Sequence, residues 1–244
     1  MFIHKKKEAS SIKEFSRFAK QYDSYNIIQC EVAKILVEKL PKVSYSFILD
    51  IGCGSGAAYK EIERREMVFD TFVALDSSKE MLSLHPSSSC VNKIHADFNK
   101  VETYKNIGVH KEDTLLISSS ALQWSENLDF VFSQLSQKAS TAYFAIFTSN
   151  TFKTLHKTSN IQSPIHSQKA LQDAIQKYYR ATFELKKFRL EFKTVRDMFK
   201  YIKKSGVSGG EKQLSYKETK QLMHTYPLSY LEFEVLFVEG TSLV

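Results

Sequence analysis

A chain of 244 residues with 43% hydrophobic side chains is long enough for one sizeable core and too short for two comfortable domains, so one α/β domain with additions is expected. The net charge of +7 and pI near 9.1 suit an acidic partner without choosing one, and the basic clusters at 5–7, 186–189 and 200–204 lack the interleaved glycine and aromatic pattern of a dedicated RNA module. No apolar run approaches a membrane span, no apolar stretch follows Lys5-Lys6-Lys7, and Cys30, Cys53 and Cys90 have no zinc-holding spacing, which predicts a soluble cytoplasmic chain with unpaired thiols and no metal.

Phe15, Phe18, Ala19 and Tyr22 fall at i, i+3, i+4 and i+7, and Ile28, Val32, Ile35 and Leu36 repeat that spacing until Pro41 stops it. Two amphipathic helices therefore precede the first strand. Neither has a βαβ role, so residues 1–41 either pad the sheet or cover a ligand as a lid, and Phe18, Tyr22 and Tyr25 are core or ligand contacts accordingly.

The stretch from Phe47 to Ala58 then turns from an apolar run into alternating glycines and small residues, which reads as a buried strand, a tight loop and a helix start. Gly52, Gly54 and Gly56 let a ligand lie against the main chain, with Cys53 between them and helix N-terminal amides facing it. The pattern alone also fits a dinucleotide fingerprint or a structural turn. Asp50, two residues before the first glycine, repels a pyrophosphate but suits the ammonium of S-adenosylmethionine, which carries no phosphate.

A helix from about Ala57 to Glu66 leads to the strand Thr71–Asp76. Asp76 lies twenty residues beyond Gly56, where an open α/β sheet brings a carboxylate to a nucleoside ribose. Ser77 and Glu80 read as a capping box for the next helix, without needing Asp76. A third strand, Val91–His95, delivers Asp97 as a partner for an adenine amino group, or as a loop cap, with Phe98 beside the ring plane. Thr114–Ile117 is a fourth strand ending in Ser118 and Ser119 at the switch point, where a ligand's reactive end belongs. Trp124 walls that site or anchors its loop to a helix at about Asn127–Lys138.

Ala142–Thr148 makes strand five. Residues 149–167 are polar and irregular, helical spacing returns at Leu171–Tyr179, and Phe183–Phe192 alternates as an exposed strand. Val195–Lys204 is a basic amphipathic helix ending at Gly206, Gly209-Gly210 marks a turn, and Tyr230–Val238 reads as an antiparallel closing strand.

Together, Asp50–Gly56, Ala74-Leu75-Asp76, Ala96-Asp97-Phe98 and Ser119–Trp124 resemble the class I S-adenosylmethionine-dependent methyltransferases. The opening Phe15–Asp23, with Gln29 and Val32-Ala33, the turn Ala121–Trp124, the helix 195–206 and the final strand are similar, more narrowly, to the malonyl-acyl-carrier-protein O-methyltransferase family. Lys138-Ala139-Ser140-Thr141 departs from the family's Pro-Gly-Gly turn, residues 149–180 match loosely, and trans-aconitate methyltransferases share a similar Leu-Gln-Trp turn.

The resemblance implies a single Rossmann-like domain, 1–244, with a mostly parallel seven-stranded sheet, an antiparallel last strand, a helical lid at 1–41 and a substrate-side insertion at 149–180. It implies S-adenosylmethionine held by Asp50, Gly52, Cys53, Gly54, Gly56, Asp76, Ser77, Asp97, Phe98, Ser118 and Ser119, with Trp124 on the substrate side. It further implies methylation of the malonyl carboxylate on an acidic acyl carrier protein, in the pimeloyl arm of biotin synthesis, without nucleic acid or membrane. An ionised carboxylate needs no general base, so Arg17, Tyr22 and the hydroxyls after strand four are candidates for orienting it. Lys186–Arg189 with Lys200, Lys203 and Lys204 are candidates for carrier docking. A free small acid such as trans-aconitate, RNA, and a catalytically silent partner role remain as alternative readings.

Overall fold

Five apolar runs become the strands β1 (Tyr45–Ile51), β2 (Phe69–Asp76), β3 (Val91–His95), β4 (Thr114–Ser119) and β5 (Thr141–Phe147), and two longer strands follow, β6 (Tyr179–Glu191) and β7 (Tyr230–Ser242). A computed structural model describes residues 25–204 and 214–244. The expected helix Phe15–Tyr22, with Arg17 and Tyr22, and the turns at Gly206 and Gly209-Gly210 lie outside those residues.

The strands form one sheet in the order β3-β2-β1-β4-β5-β7-β6. β1 to β5 pair in parallel, whereas β7 is antiparallel to both β5 and β6. This is the expected fold class: a central parallel sheet buried on both faces demands near-continuous apolar strands, and Phe72–Leu75, Leu115–Ile117 and Ala142–Phe147 supply them.

The two-residue period of a strand sorts these side chains into two cores. Ile48, Phe72, Leu115, Tyr143 and Phe233 share one face with Val32 and Leu36, while Leu49, Val73, Leu116, Phe144 and Leu236 share the other with Phe132 and Leu171. Helix α1 (Ile27–Glu38) covers the first face, burying Ile28, Val32 and Leu36 at four-residue intervals. Helices α2 (Ala57–Arg64), α3 (Lys79–Leu84), α4 (Val101–Lys105) and α5 (Leu128–Leu135) follow successive strands or their loops. α5 begins where its spacing predicts, with the Asn127 side chain accepting from Phe130 N–H at 3.0 Å as its N-cap, but it ends at Leu135, short of Lys138, with Ser136 as its C-cap.

After β5 the chain departs further from expectation. The polar stretch contains a helix, α6 (Lys153–Ser159), started by Phe152 at φ 57°. α7 (Gln168–Ile175) stops four residues short of Tyr179, which instead opens β6 and buries its ring against Phe144. β6 thus begins inside the segment read as an insertion. α8 (Val195–Lys204) is as expected, whereas α9 (Tyr216–Thr225) is not; the Ser215–Glu218 capping box starts it. None of Cys30, Cys53 and Cys90 forms a disulfide. Among the described residues no helix is long and apolar enough to cross a membrane.

Candidate active site

Between β1 and β4 the strand order reverses, and a cavity opens at the carboxyl ends of the strands, as such sheets allow. Its floor is the loop after β1. Gly52 and Cys53 N–H both donate to Leu75 C=O, at 2.8 and 3.0 Å, turning the chain sharply off the sheet. Gly52 adopts φ +71°, and a Cβ there would stand 2.2 Å from Ala121 Cβ, so only glycine lets the loop pass beneath the end of β4. Gly56 plays a different part from the one expected. It caps α2 at φ +85°, pressed against His85 and Pro86, and does not line the cavity.

Asp76 ends β2 and holds this loop in place. Its Oδ2 accepts from Gly54 N–H and its Oδ1 from Ser78 N–H, each at 2.8 Å. The capping expectation is corrected in two respects: Ser78, not Ser77, is the N-cap of α3, accepting from Met81 N–H at 3.2 Å, and Asp76 takes part by fixing Ser78. Ser77 lines the cavity beside it. Burial raises the Asp76 pKa above the usual carboxylate value, while hydrogen bonds from Ser78 and Gly54 pull it back.

Asp50 has no such support. Strand alternation places it on the Ile48 face of β1, 1% exposed, and neither carboxylate oxygen has a hydrogen-bond partner. Burial, reinforced by the charge of Asp76, pushes its pKa up to about 8. The Cys53 thiol is likewise pushed up by burial and the two acids. Two carboxylates at one end of a cavity attract a cation and repel a pyrophosphate.

The remaining wall comes from β3, β4 and the chain beyond them. Asp97 closes a small turn, accepting from Asn99 N–H at 2.9 Å, with Phe98 and Asn99 beside it on the lining. Ser118 is corrected: it is fully buried, donates to Ile51 C=O at 2.7 Å and does not line the cavity. Its neighbour Ser119 does, with Ser120, Gln123 and Trp124. Ser119 Oγ, Ser120 Oγ, Gln123 Oε1 and Trp124 Nε1 are all buried without a hydrogen-bond partner. So many orphaned polar atoms in one place cost stability unless a ligand completes them.

Sequence reasoning missed Asn26, Gln29, Met81, Pro164 and His166 as lining residues. Gln29 carried a signal: it stands three residues before Val32 on the buried stripe of α1, is itself buried, and leaves Oε1 unpartnered. Pro164 and His166 come from the segment after β5, with His166 Nε2 at 2.7 Å from Ser125 C=O. Arg17 and Tyr22 lie outside the described residues. The Lys186–Arg189 cluster is partly occupied within the fold: Lys186 Nζ is 3.3 Å from Glu184, Lys187 Nζ is 4.0 Å from buried Glu234, and the Arg189 guanidinium is 4.8 Å from the Tyr230 ring centroid.

No family model matches the chain. Among curated proteins it is 28% identical over 166 residues to the malonyl-[acyl-carrier protein] O-methyltransferase of Buchnera aphidicola, covering 68% of this chain but 63% of that protein's length, less than two thirds. It is 26% identical over 246 aligned positions to the protein of the same name from Priestia megaterium, covering 88% of each. Among solved structures, YcgJ of Bacillus subtilis superposes with a TM-score of 0.63 at 10% identity, over 86% of this chain and 98% of that one. Phosphoethanolamine N-methyltransferase 2 of Haemonchus contortus gives 0.53 at 13% identity, over 85% and 52%. The chain has the fold seen in class I S-adenosylmethionine-dependent methyltransferases, and in sequence it is similar to the malonyl-acyl-carrier-protein O-methyltransferases.

Proposed function

We propose that this chain binds S-adenosylmethionine and methylates the free carboxylate of a malonyl group carried by an acyl carrier protein, giving the methyl ester that opens the pimeloyl arm of biotin synthesis. The observation that carries the cofactor assignment is the unpartnered, fully buried Asp50 carboxylate at the edge of a glycine cradle. It suits the positive charge of S-adenosylmethionine and gives no place to a phosphate. The substrate for which these relatives are named supports the acceptor.

In this reading Asp50 faces the cationic amino-acid part of the cofactor, and the Gly52–Ser55 backbone supports it. Asp76 keeps the loop bonds described above and uses its remaining lone pairs for the ribose hydroxyls, with Ser77 adjacent. Asp97 and Phe98 take the adenine. The cofactor supplies an electrophilic sulfonium methyl, so the protein's task is alignment and exclusion of water. An acceptor carboxylate that is already ionised would need no base to receive that methyl, so the residues of this chain would have only to hold it in place. Ser119, Ser120 and the Trp124 indole N–H are the donors that orient the carboxylate, and they leave one oxygen free to attack.

The test is incubation of the protein with methyl-labelled S-adenosylmethionine and malonyl-loaded carrier protein, with mass spectrometry for a base-labile ester. Free malonate and trans-aconitate run alongside. Ester on the carrier alone is the expected result; ester on a free acid alone removes the carrier, and no binding of the cofactor by calorimetry removes the whole reading.

A further inference from the structure

The chain's positive charge is unevenly divided. Residues 25–148, which hold β1 to β5 and most of the cavity floor, carry 12 Lys and Arg against 15 Asp and Glu, whereas residues 149–244 carry 16 against 9. The basic excess therefore accompanies the half that follows β5. Within it, the β6 cations favoured by the sequence already face Glu184, Glu234 and Tyr230. Those on α6 and α9 do not. Lys153 and Lys157 are four residues apart on α6, both exposed, and neither has an acidic partner among the described residues. Lys217 and Lys220 on α9 are exposed and have no acidic partner among the described residues, Glu218 being taken up by the Ser215 cap.

The two helices that carry these lysines are in contact, and the segment of the first continues to the cavity. α6 packs against α9, and the inward side of α6 is pinned by buried Phe152 and half-buried Leu155. The segment that carries α6 runs directly into Pro164 and His166 on the cavity lining, and Ser149 N–H donates to His166 C=O at 2.8 Å. Tyr216 at the start of α9 is 86% exposed, which gives the face an aromatic contact of the kind that protein interfaces use.

We infer that the α6–α9 face, centred on Lys153, Lys157, Lys217 and Lys220, is the docking surface for an acidic carrier protein that delivers its acyl group to the neighbouring cavity. This rests on the carrier-bound acceptor proposed above. Four ammonium groups on one face attract a carboxylate-rich surface by charge complementarity, and the carrier-bound acceptor proposed above supplies such a surface. Surface pairs of this kind steer encounter and fix register more than they add affinity, and salt screens them.

The experiment uses the full chain with paired reversals Lys153→Glu/Lys157→Glu and Lys217→Glu/Lys220→Glu, and Lys60→Glu/Lys105→Glu as a control on exposed positions of the other half. Circular dichroism and S-adenosylhomocysteine affinity verify that each variant is folded. The expected result is a rise of about tenfold in KM for malonyl carrier protein at low salt, a flatter salt dependence and unchanged kcat for the α6 and α9 variants, with the control and a malonyl thioester of a small thiol unaffected. Equal effects on carrier and small thioester, or no effect on either, overturn the docking face while leaving the reaction intact. If the wild type does not methylate malonyl carrier protein, the proposed reaction fails by itself. Binding of unloaded carrier protein by fluorescence anisotropy then decides the surface: binding weakened by the reversals supports it, and no binding, or binding of RNA alone, overturns it.

Discussion

The two sides of the cavity are made in different ways. On the glycine side the chain uses backbone and buried carboxylates: Gly52 and Cys53 share Leu75 C=O, Asp76 braces Gly54 and Ser78, and these four hydrogen bonds all lie within the first 78 residues. On the opposite side the wall is assembled from α1, the turn after β4 and the segment after β5, and that segment is tied down from β7. Glu234 accepts from Thr148 Oγ1 at 2.6 Å and Asn150 Nδ2 at 2.8 Å, while the Glu232 side chain takes Thr154 N–H at 2.9 Å. A backbone cradle recognises what every cofactor of one kind shares. A wall of side chains borrowed from distant elements can change its substrate without disturbing that cradle.

Substitutions that strike one side and spare the other test this division. The largest effect is expected from Gly52→Ala, where a positive φ and a 2.2 Å approach to Ala121 combine. Stability should fall by about 3 kcal/mol or more, read as a drop in melting temperature, with cofactor binding lost in calorimetry. Asp50→Asn comes next. Its cofactor affinity should fall by about 10- to 100-fold with acceptor KM at saturating cofactor little changed, because one charge-assisted contact is lost.

The same residue gives a pH signature. Its folded pKa of about 8 lies above the unfolded value, so between the two the folded chain holds a proton that the unfolded chain has released. Stability of the ligand-free protein should therefore decline as pH rises from about 4 toward 8, and Asp50→Asn should flatten that decline in a melting series. A cationic ligand reverses the preference by favouring the carboxylate. Binding near pH 7 should then release about one proton, visible as a buffer-dependent enthalpy that Asp50→Asn lacks.

Glu234→Ala probes the other side. It leaves Thr148 and Asn150 without their acceptor and should cost about 2 kcal/mol, raising acceptor KM several-fold while cofactor affinity stays constant. The smallest expected effect is that of Ser78→Ala, which removes one helix cap and should cost about 1 kcal/mol in denaturant unfolding, with cofactor affinity nearly unchanged because alanine keeps the backbone N–H that Asp76 accepts.

The same division explains what could be read before the structure. The glycine side was legible because its chemistry is local: strand, turn and acid follow one another, and their spacing reflects sheet geometry. Ser118 and Ser119 mark the limit. Composition treats them alike, but strand alternation points one at Ile51 C=O and the other at the cavity. Ser77 and Ser78 pose the same problem at the next helix, where one residue of register decides which serine caps. Asn26 and Gln29 were hidden because a polar residue on an amphipathic helix is ordinary until the neighbouring element is known. Pro164 and His166 reach the cavity only after the chain has passed through β5 and α6, a path set by bonds from β7. α6 itself is seven residues long and begins at a left-handed phenylalanine, which no periodicity announces.

The place of β7 has a consequence for how the molecule is made. It is the last strand in sequence, yet it lies between β5 and β6, so neither of their facing edges can be satisfied until it arrives. During synthesis the parallel part of the sheet can assemble around the glycine loop early, whereas β5 presents an open edge and β6 waits unpaired for some forty residues between Glu191 and Tyr230. The glycine side of the cavity thus gains its scaffold first, and the opposite wall is fixed by the final strand. Ligand added to a growing or refolding chain should rescue the first stage and not the second.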